Sequence, residues 1–224
     1  MKDNTHIKER IKSISAALPS GVTLIAVSKY HSVEAIGIAY DAGQRDFGES
    51  KAQDLVKKQQ ELPADIKWHF IGHLQSNKIK YIAPFVHLIH SIDSYKLLQE
   101  VDRYGAKNER RIPCLLQIHI ACEDTKFGFT PDECIKMLED SEWRTLHNIE
   151  LRGVMCMASN TDDAEQIGRE FSTVHSLFMA IKKRFFNNSD CRFDIISAGM
   201  SDDYPIAIEH GSTHIRIGSS IFCK

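Results

Sequence analysis

Short runs of apolar and β-branched residues alternate with longer amphipathic segments along the whole chain. The apolar runs predict eight strands, at 23–29, 46–49, 68–72, 86–92, 114–120, 151–157, 193–198 and 214–217. The segments between them have helical periodicity. Residues 4–18, with Ile7, Ile11, Ile14 and Leu18 on one stripe, predict an extra helix ahead of the first strand.

Eight strands that are apolar along most of their length predict a parallel sheet buried on both faces. Eight strand–helix units in this length favour a single (β/α)8 TIM barrel in the α/β class, occupying residues 1–224 as one domain. The extra N-terminal helix is expected to cover the gap after the last strand. A doubly wound open sheet built from the same elements is the alternative.

Composition narrows the function classes. The 224 residues are 42% hydrophobic and 26% charged, which is typical of a globular protein with its own core. Lys and Arg total 28 against 30 for Asp and Glu, so the basic excess of a general nucleic-acid binder is absent.

The cellular compartment of the protein is predicted from its apolar runs, its N-terminal residues and its cysteines. We expect no membrane span and no secretory signal, since no apolar run is long enough and residues 1–5 lead into an amphipathic segment. Six cysteines without a CxxC pair predict reduced, structural thiols in a cytoplasmic protein.

The chemistry of such a barrel is expected where its strands end, at the C-terminal face. The first strand ends in Lys29. A lysine at this place has two interpretations. It is a residue at the mouth of the barrel whose amine reaches water or pairs with a carboxylate, or it is a Schiff-base lysine whose amine attacks an aldehyde or ketone.

The last two strands end in turns of small residues that suit a phosphate. Arg216 lies between two isoleucines, which predicts a buried guanidinium, and Gly218 and Ser219 follow it. Ser197 ends the preceding strand. Oriented backbone amides and hydroxyl donors in such turns stabilise an anion.

A metal site is not predicted. His69 and His73 lie on a strand and the turn after it, where the convergence of two side chains one helical turn apart does not apply, and no Cys or acidic cluster joins them.

Several of these segments together resemble the pyridoxal phosphate homeostasis protein family, also called the proline-synthetase co-transcribed family. The resemblance runs in order from about residue 24 to residue 222, and it rests on residues 24–29 (LIAVSK), 47–49 (FGE), 68–78 (WHFIGHLQSNK), 126–128 (KFG), 199–203 (GMSDD) and 215–218 (IRIG).

The resemblance implies the fold of the alanine racemase N-terminal domain, with pyridoxal 5′-phosphate (PLP) as cofactor. It implies that Lys29 holds PLP as a Schiff base and that Arg216 lies against the pyridine nitrogen, while Ser197, Gly218 and Ser219 hold the phosphate. Ser50 stands where the family usually has Asn, so an amide contact to the cofactor is shortened or lost.

The function implied by the resemblance is PLP homeostasis, the buffering or delivery of this vitamin B6 cofactor without turnover, so no residue is assigned a catalytic role. The expected partners are PLP and PLP-dependent apo-enzymes, and the expected state is a monomer. A PLP-dependent amino-acid racemase is one alternative; it requires a second base from an additional β-domain, and one barrel uses the whole of this chain. A lysine-dependent aldolase acting on a phosphorylated sugar is the other.

Overall fold

The computed structural model describes residues 5–121, 127–187 and 192–223. Its eight strands pair in parallel and in sequence order, and the last pairs with the first, so the sheet is a closed barrel. The strands are β1 Thr23–Val27, β2 Asp46–Glu49, β3 Lys67–Phe70, β4 Leu88–Ile92, β5 Ile112–Ile118, β6 Ile149–Cys156, β7 Ile195–Ser197 and β8 His214–Ile217. The predicted TIM barrel is confirmed, and closure of the sheet between β8 and β1 excludes the open-sheet alternative.

Helices cover the outside of the barrel. They are α1 Thr5–Ala17, α2 Val33–Asp41, α3 Ala52–Glu61, α4 Ile79–Ile82, α5 Tyr95–Lys107, α6 Pro131–Asp140, α7 Ala164–Phe185, α8 Tyr204–Glu209 and α9 Ser219–Phe222. Helix α6 begins with a capping box: the Thr130 hydroxyl accepts from the Glu133 backbone N–H, and the Glu133 side chain accepts from the Thr130 N–H.

The extra N-terminal helix covers the barrel between the helices that follow its first and last strands. Helix α1 packs against α2 and against α9, which follow β1 and β8. Helix α9 has only four residues and was not predicted, because a single turn leaves no periodic pattern in the sequence. Ile7 and Ile11 of the predicted stripe are buried against the barrel.

The core has two parts. Most buried apolar side chains fill the layer between the sheet and the helices, while Leu88, Leu115, Met155 and Ile195 form a separate cluster from four consecutive strands, β4 to β7. In a barrel these alternate positions face the interior.

In the part of the chain that the structure describes, no helix is both long and apolar enough to cross a membrane. Cys114, Cys134 and Cys156 are buried, whereas Cys223 is exposed. Cys122 and Cys191 lie outside the described residues.

Candidate functional site

The predicted site residues lie on three neighbouring strands at the C-terminal end of the barrel. Strand β8 lies between β7 and β1, and Arg216 pairs in register with Ile25 of β1. Lys29 is two residues beyond the end of β1, and Ser197 is the last residue of β7. The barrel thus brings the predicted lysine, arginine and serine to one end.

Arg216 points into the barrel. Its Nη1 donates to the carbonyl oxygen and to the hydroxyl of Ser197, both at 2.7 Å, and its Nη2 donates to the carbonyl of Cys156 at 2.8 Å. The residue is 5% exposed, and burial lowers the pKa of its guanidinium, which stays protonated all the same. These bonds use three of the five N–H groups of an arginine, so two remain for another acceptor.

Ser197 is fully buried, and its hydroxyl is part of the barrel interior. The oxygen accepts from Arg216, and it lies 2.9 Å from Nδ1 of His90. An arginine only donates, so the hydroxyl proton of Ser197 is not used by Arg216 and is available to His90 Nδ1. The role of Ser197 as a phosphate ligand stays a prediction.

Gly218 and Ser219 lie where β8 passes close to the end of β1. A Cβ on Gly218 would lie 3.2 Å from the carbonyl oxygen of Val27 and 3.3 Å from its Cβ, so a side chain here would crowd β1. Ser219 follows as the exposed first residue of α9. The Ser220 N–H lies 3.5 Å from the Ser201 hydroxyl, which places the turns after β7 and β8 side by side.

Lys29 is exposed in the turn after β1, which agrees with a mouth position. Its Nζ lies 6.0 Å from the ring centroid of Tyr30, which is 77% exposed and has a left-handed φ of 68°. The turn is closed by a bond from the His31 N–H to the Ser28 carbonyl, and the His31 ring stacks on Phe222 of α9 at 4.6 Å.

A buried ion pair supports this turn from outside the barrel. Oε1 of Glu49, the last residue of β2, accepts from Lys58 Nζ at 2.7 Å and from the Ser28 hydroxyl at 2.5 Å. Lys58 also donates to the Ser28 carbonyl at 2.9 Å. Lys58 was not predicted as part of the site; the available signal was its place in the three-residue spacing of Ala52, Leu55 and Lys58 on the buried face of α3.

The two histidines considered for a metal are not brought together. His69 is buried in the barrel, 3.0 Å from Asp46, whereas His73 lies 3.2 Å from Asp93 and stacks on Phe127 at 3.9 Å. Lys126 of the predicted KFG segment lies outside the described residues.

Sequence comparison connects this barrel to a family. Residues 3–224 match the family described as "Alanine racemase, N-terminal domain". The chain is 38% identical to a pyridoxal phosphate homeostasis protein of Pasteurella multocida, over 91% of this chain and 86% of that one. It is 37% identical to one of Helicobacter pylori, over 90% and 87%.

Solved structures agree with the sequence relatives. PipY of Synechococcus elongatus, solved without PLP, superposes with a TM-score of 0.89 at 34% identity, covering 96% of this chain and 99% of that one. The same protein with PLP bound gives 0.86. An alanine racemase of Clostridium difficile shares the fold, with a TM-score of 0.77 at 11% identity, over 97% of this chain and 56% of that one. The chain therefore belongs to the pyridoxal phosphate homeostasis protein family, on the barrel of the alanine racemase N-terminal domain.

Proposed function

We propose that this protein binds PLP at the C-terminal mouth of the barrel and holds it as a Schiff base on Lys29, so that it buffers or delivers the cofactor. The observation that carries the proposal is the buried Arg216, which has two N–H groups to spare on the strand next to the Lys29 strand. A relative 34% identical over nearly the whole chain has been solved with PLP bound.

The residues at the mouth fit the chemical groups of PLP. The Lys29 amine would form a C=N bond with an aldehyde, with loss of one water molecule. The spare N–H groups of Arg216 would donate to a pyridine nitrogen. Gly218 and Ser219 would hold the phosphate through backbone N–H groups and a hydroxyl, at a turn where a side chain on Gly218 would crowd Val27.

The exposure of Lys29 supports a delivery role. Its side chain lies in an exposed turn beside Tyr30, which is also exposed. An amine from another molecule reaches a C=N bond at this position without passing through the barrel. We propose that PLP-dependent apo-enzymes receive the cofactor in this way, in the cytoplasm and from a monomer. The buried free thiols Cys114 and Cys134 support a reducing compartment, and burial raises the pKa of Cys134 to about 12.

Arg216 also explains why binding would occur without turnover. PLP supplies an electron sink that stabilises a carbanion, most strongly when its ring nitrogen is protonated. Arg216 only donates hydrogen bonds, so it favours an unprotonated nitrogen. Its three acceptors, two carbonyls and one hydroxyl, include no acidic group that would protonate the ring nitrogen.

Deuterium exchange at the α-carbon of L-alanine tests the absence of turnover. We expect protein loaded with PLP to exchange the α-hydrogen with deuterated water no faster than the same concentration of free PLP, as followed by proton NMR. The Lys29→Ala variant is the control. Fast exchange by the wild type that disappears in this variant would favour the racemase alternative instead.

A further inference from the structure

Five polar side chains form a continuous chain of hydrogen bonds through the barrel interior. Arg216 Nη1 lies 2.7 Å from Ser197 Oγ, and Ser197 Oγ lies 2.9 Å from His90 Nδ1. His90 Nε2 lies 2.9 Å from His69 Nδ1, and His69 Nε2 lies 3.0 Å from Asp46 Oδ1. Strands β4 and β7 are not neighbours in the sheet, so the bond between His90 and Ser197 crosses the interior. We name these residues the internal hydrogen-bond chain.

The two ends of the internal hydrogen-bond chain fix its direction. Arg216 only donates, and an ionised Asp46 only accepts. Ser197 therefore accepts from Arg216, and His69 donates from Nε2 to Asp46. With one proton on each imidazole, His69 Nδ1 then accepts from His90 Nε2, and His90 Nδ1 accepts from the Ser197 hydroxyl. Every group in the chain is satisfied in this arrangement.

This arrangement is costly unless it is complete. His69, His90 and Ser197 are each at most 1% exposed, and a buried polar group without a partner is strongly unfavourable. The acceptors that Arg216 touches directly are uncharged, so the carboxylate at the far end is the anion that the chain links to the guanidinium. Burial and the neighbouring His69 hold the pKa of His90 well below its usual range.

We infer that His90 is a positioning residue for the cofactor site: through Ser197 it holds Arg216 in the orientation that leaves two N–H groups for the pyridine nitrogen. This inference rests on the proposed function. It assigns the Ser197 hydroxyl to Arg216 and not to the phosphate. His69 and Asp46 complete the same task, because they fix the proton of His90 on Nε2 and leave Nδ1 to accept.

The test compares PLP with its deaza analogue, in which a C–H replaces the ring nitrogen. Wild type, His90→Phe, His90→Asn and Ser91→Ala are titrated with both ligands. Ser91 is the matched control, since it is the next residue on β4, is equally buried, and has a hydroxyl without a hydrogen-bond partner. Phe keeps the bulk of His90 without an acceptor, whereas the Asn carbonyl still accepts from Ser197.

We expect wild type and Ser91→Ala to prefer PLP over the analogue by about tenfold or more, the range for a hydrogen bond from a charged donor. His90→Phe should lose most of this preference by weakening PLP alone, and His90→Asn should keep much of it. An unchanged preference in His90→Phe would overturn the inference and leave the proposed function intact. A wild type that binds neither ligand would overturn the proposed function itself.

Nitrogen-15 NMR of the ligand-free wild type tests the internal hydrogen-bond chain on the unaltered side chains, and a variant is needed only to assign the signal. We expect the His90 ring, assigned by its absence in His90→Asn, to be neutral and protonated on Nε2. A ring protonated on Nδ1, or on both nitrogens, would contradict the chain.

Discussion

Replacing Lys58 by Met breaks the buried ion pair beneath the Lys29 turn. Glu49 is fully buried, and both donors to its carboxylate, Lys58 and Ser28, bond to the same oxygen. The variant therefore leaves a buried negative charge with a single hydroxyl donor, and it also leaves the Ser28 carbonyl without its lysine partner.

The expected cost follows from the burial. Removing one partner of a buried ion pair typically costs about 3–5 kcal/mol, whereas replacing both by neutral groups of similar size is often close to neutral. We expect Lys58→Met to lower the free energy of unfolding within this range. The double variant Glu49→Gln, Lys58→Met should lose roughly 2 kcal/mol or less, because Gln still accepts from Ser28 and Met replaces the lysine stem.

Urea unfolding of the wild type, both single variants and the double variant measures the coupling between the two side chains. PLP affinity measured on the same proteins shows whether the Lys29 turn depends on the ion pair between Glu49 and Lys58, which contacts Ser28. A loss below about 1 kcal/mol in Lys58→Met, or a double variant that is less stable than this single variant, would refute the argument from buried charge.

Further variants test the phosphate turn, the internal hydrogen-bond chain and the backbone. Ser219→Ala should weaken the binding of PLP about tenfold, with little effect on the binding of pyridoxal, which has no phosphate. Ser197→Ala should weaken the binding of both ligands alike. A loss of affinity confined to PLP in Ser197→Ala would instead support Ser197 as a phosphate ligand. Gly153→Ala should cost about 3 kcal/mol or more in urea unfolding, because φ is 152° and a Cβ would lie 1.8 Å from the Ile195 carbonyl oxygen, while Gly37→Ala in helix α2, with open space around it, should stabilise the fold by about 0.5–1 kcal/mol. Because the pKa of His90 is lowered in the folded protein, the unfolded state binds more protons below pH 6.5. The contribution of His90 to the free energy of unfolding is therefore complete above pH 6.5 and falls by up to about 1.4 kcal/mol per pH unit below it. In His90→Asn this part of the pH dependence, measured by urea unfolding at pH 7 and pH 5, should disappear.

The barrel was predictable because its strands have a strong local signal. Strand β8 has the predicted limits, and β2 does too, since polar or turn residues bound both. Strand β5 begins two residues earlier than predicted, at Ile112, and β7 is shortened to Ile195–Ser197. Apolar content marks the middle of a strand, whereas its ends depend on which neighbours it pairs with.

The direction of individual side chains was not predictable in the same way. Ser197 follows an apolar strand and precedes a glycine turn, which is equally typical of a phosphate ligand and of a buried serine. Its actual partners, Arg216 and His90, lie on other strands, and only the closure and register of the barrel bring them together. Lys58 was missed because a lysine in an amphipathic helix is ordinarily exposed.

Borohydride reduction tests the central claim most directly. Protein incubated with PLP is reduced with sodium borohydride, digested, and mapped by mass spectrometry. We predict one reduced pyridoxyl group per chain, on Lys29, and none in Lys29→Ala treated in the same way. A reduced group found on Lys51 or Lys78 in the wild type, or an unchanged yield in Lys29→Ala, would contradict the assignment of Lys29 as the residue that holds the cofactor.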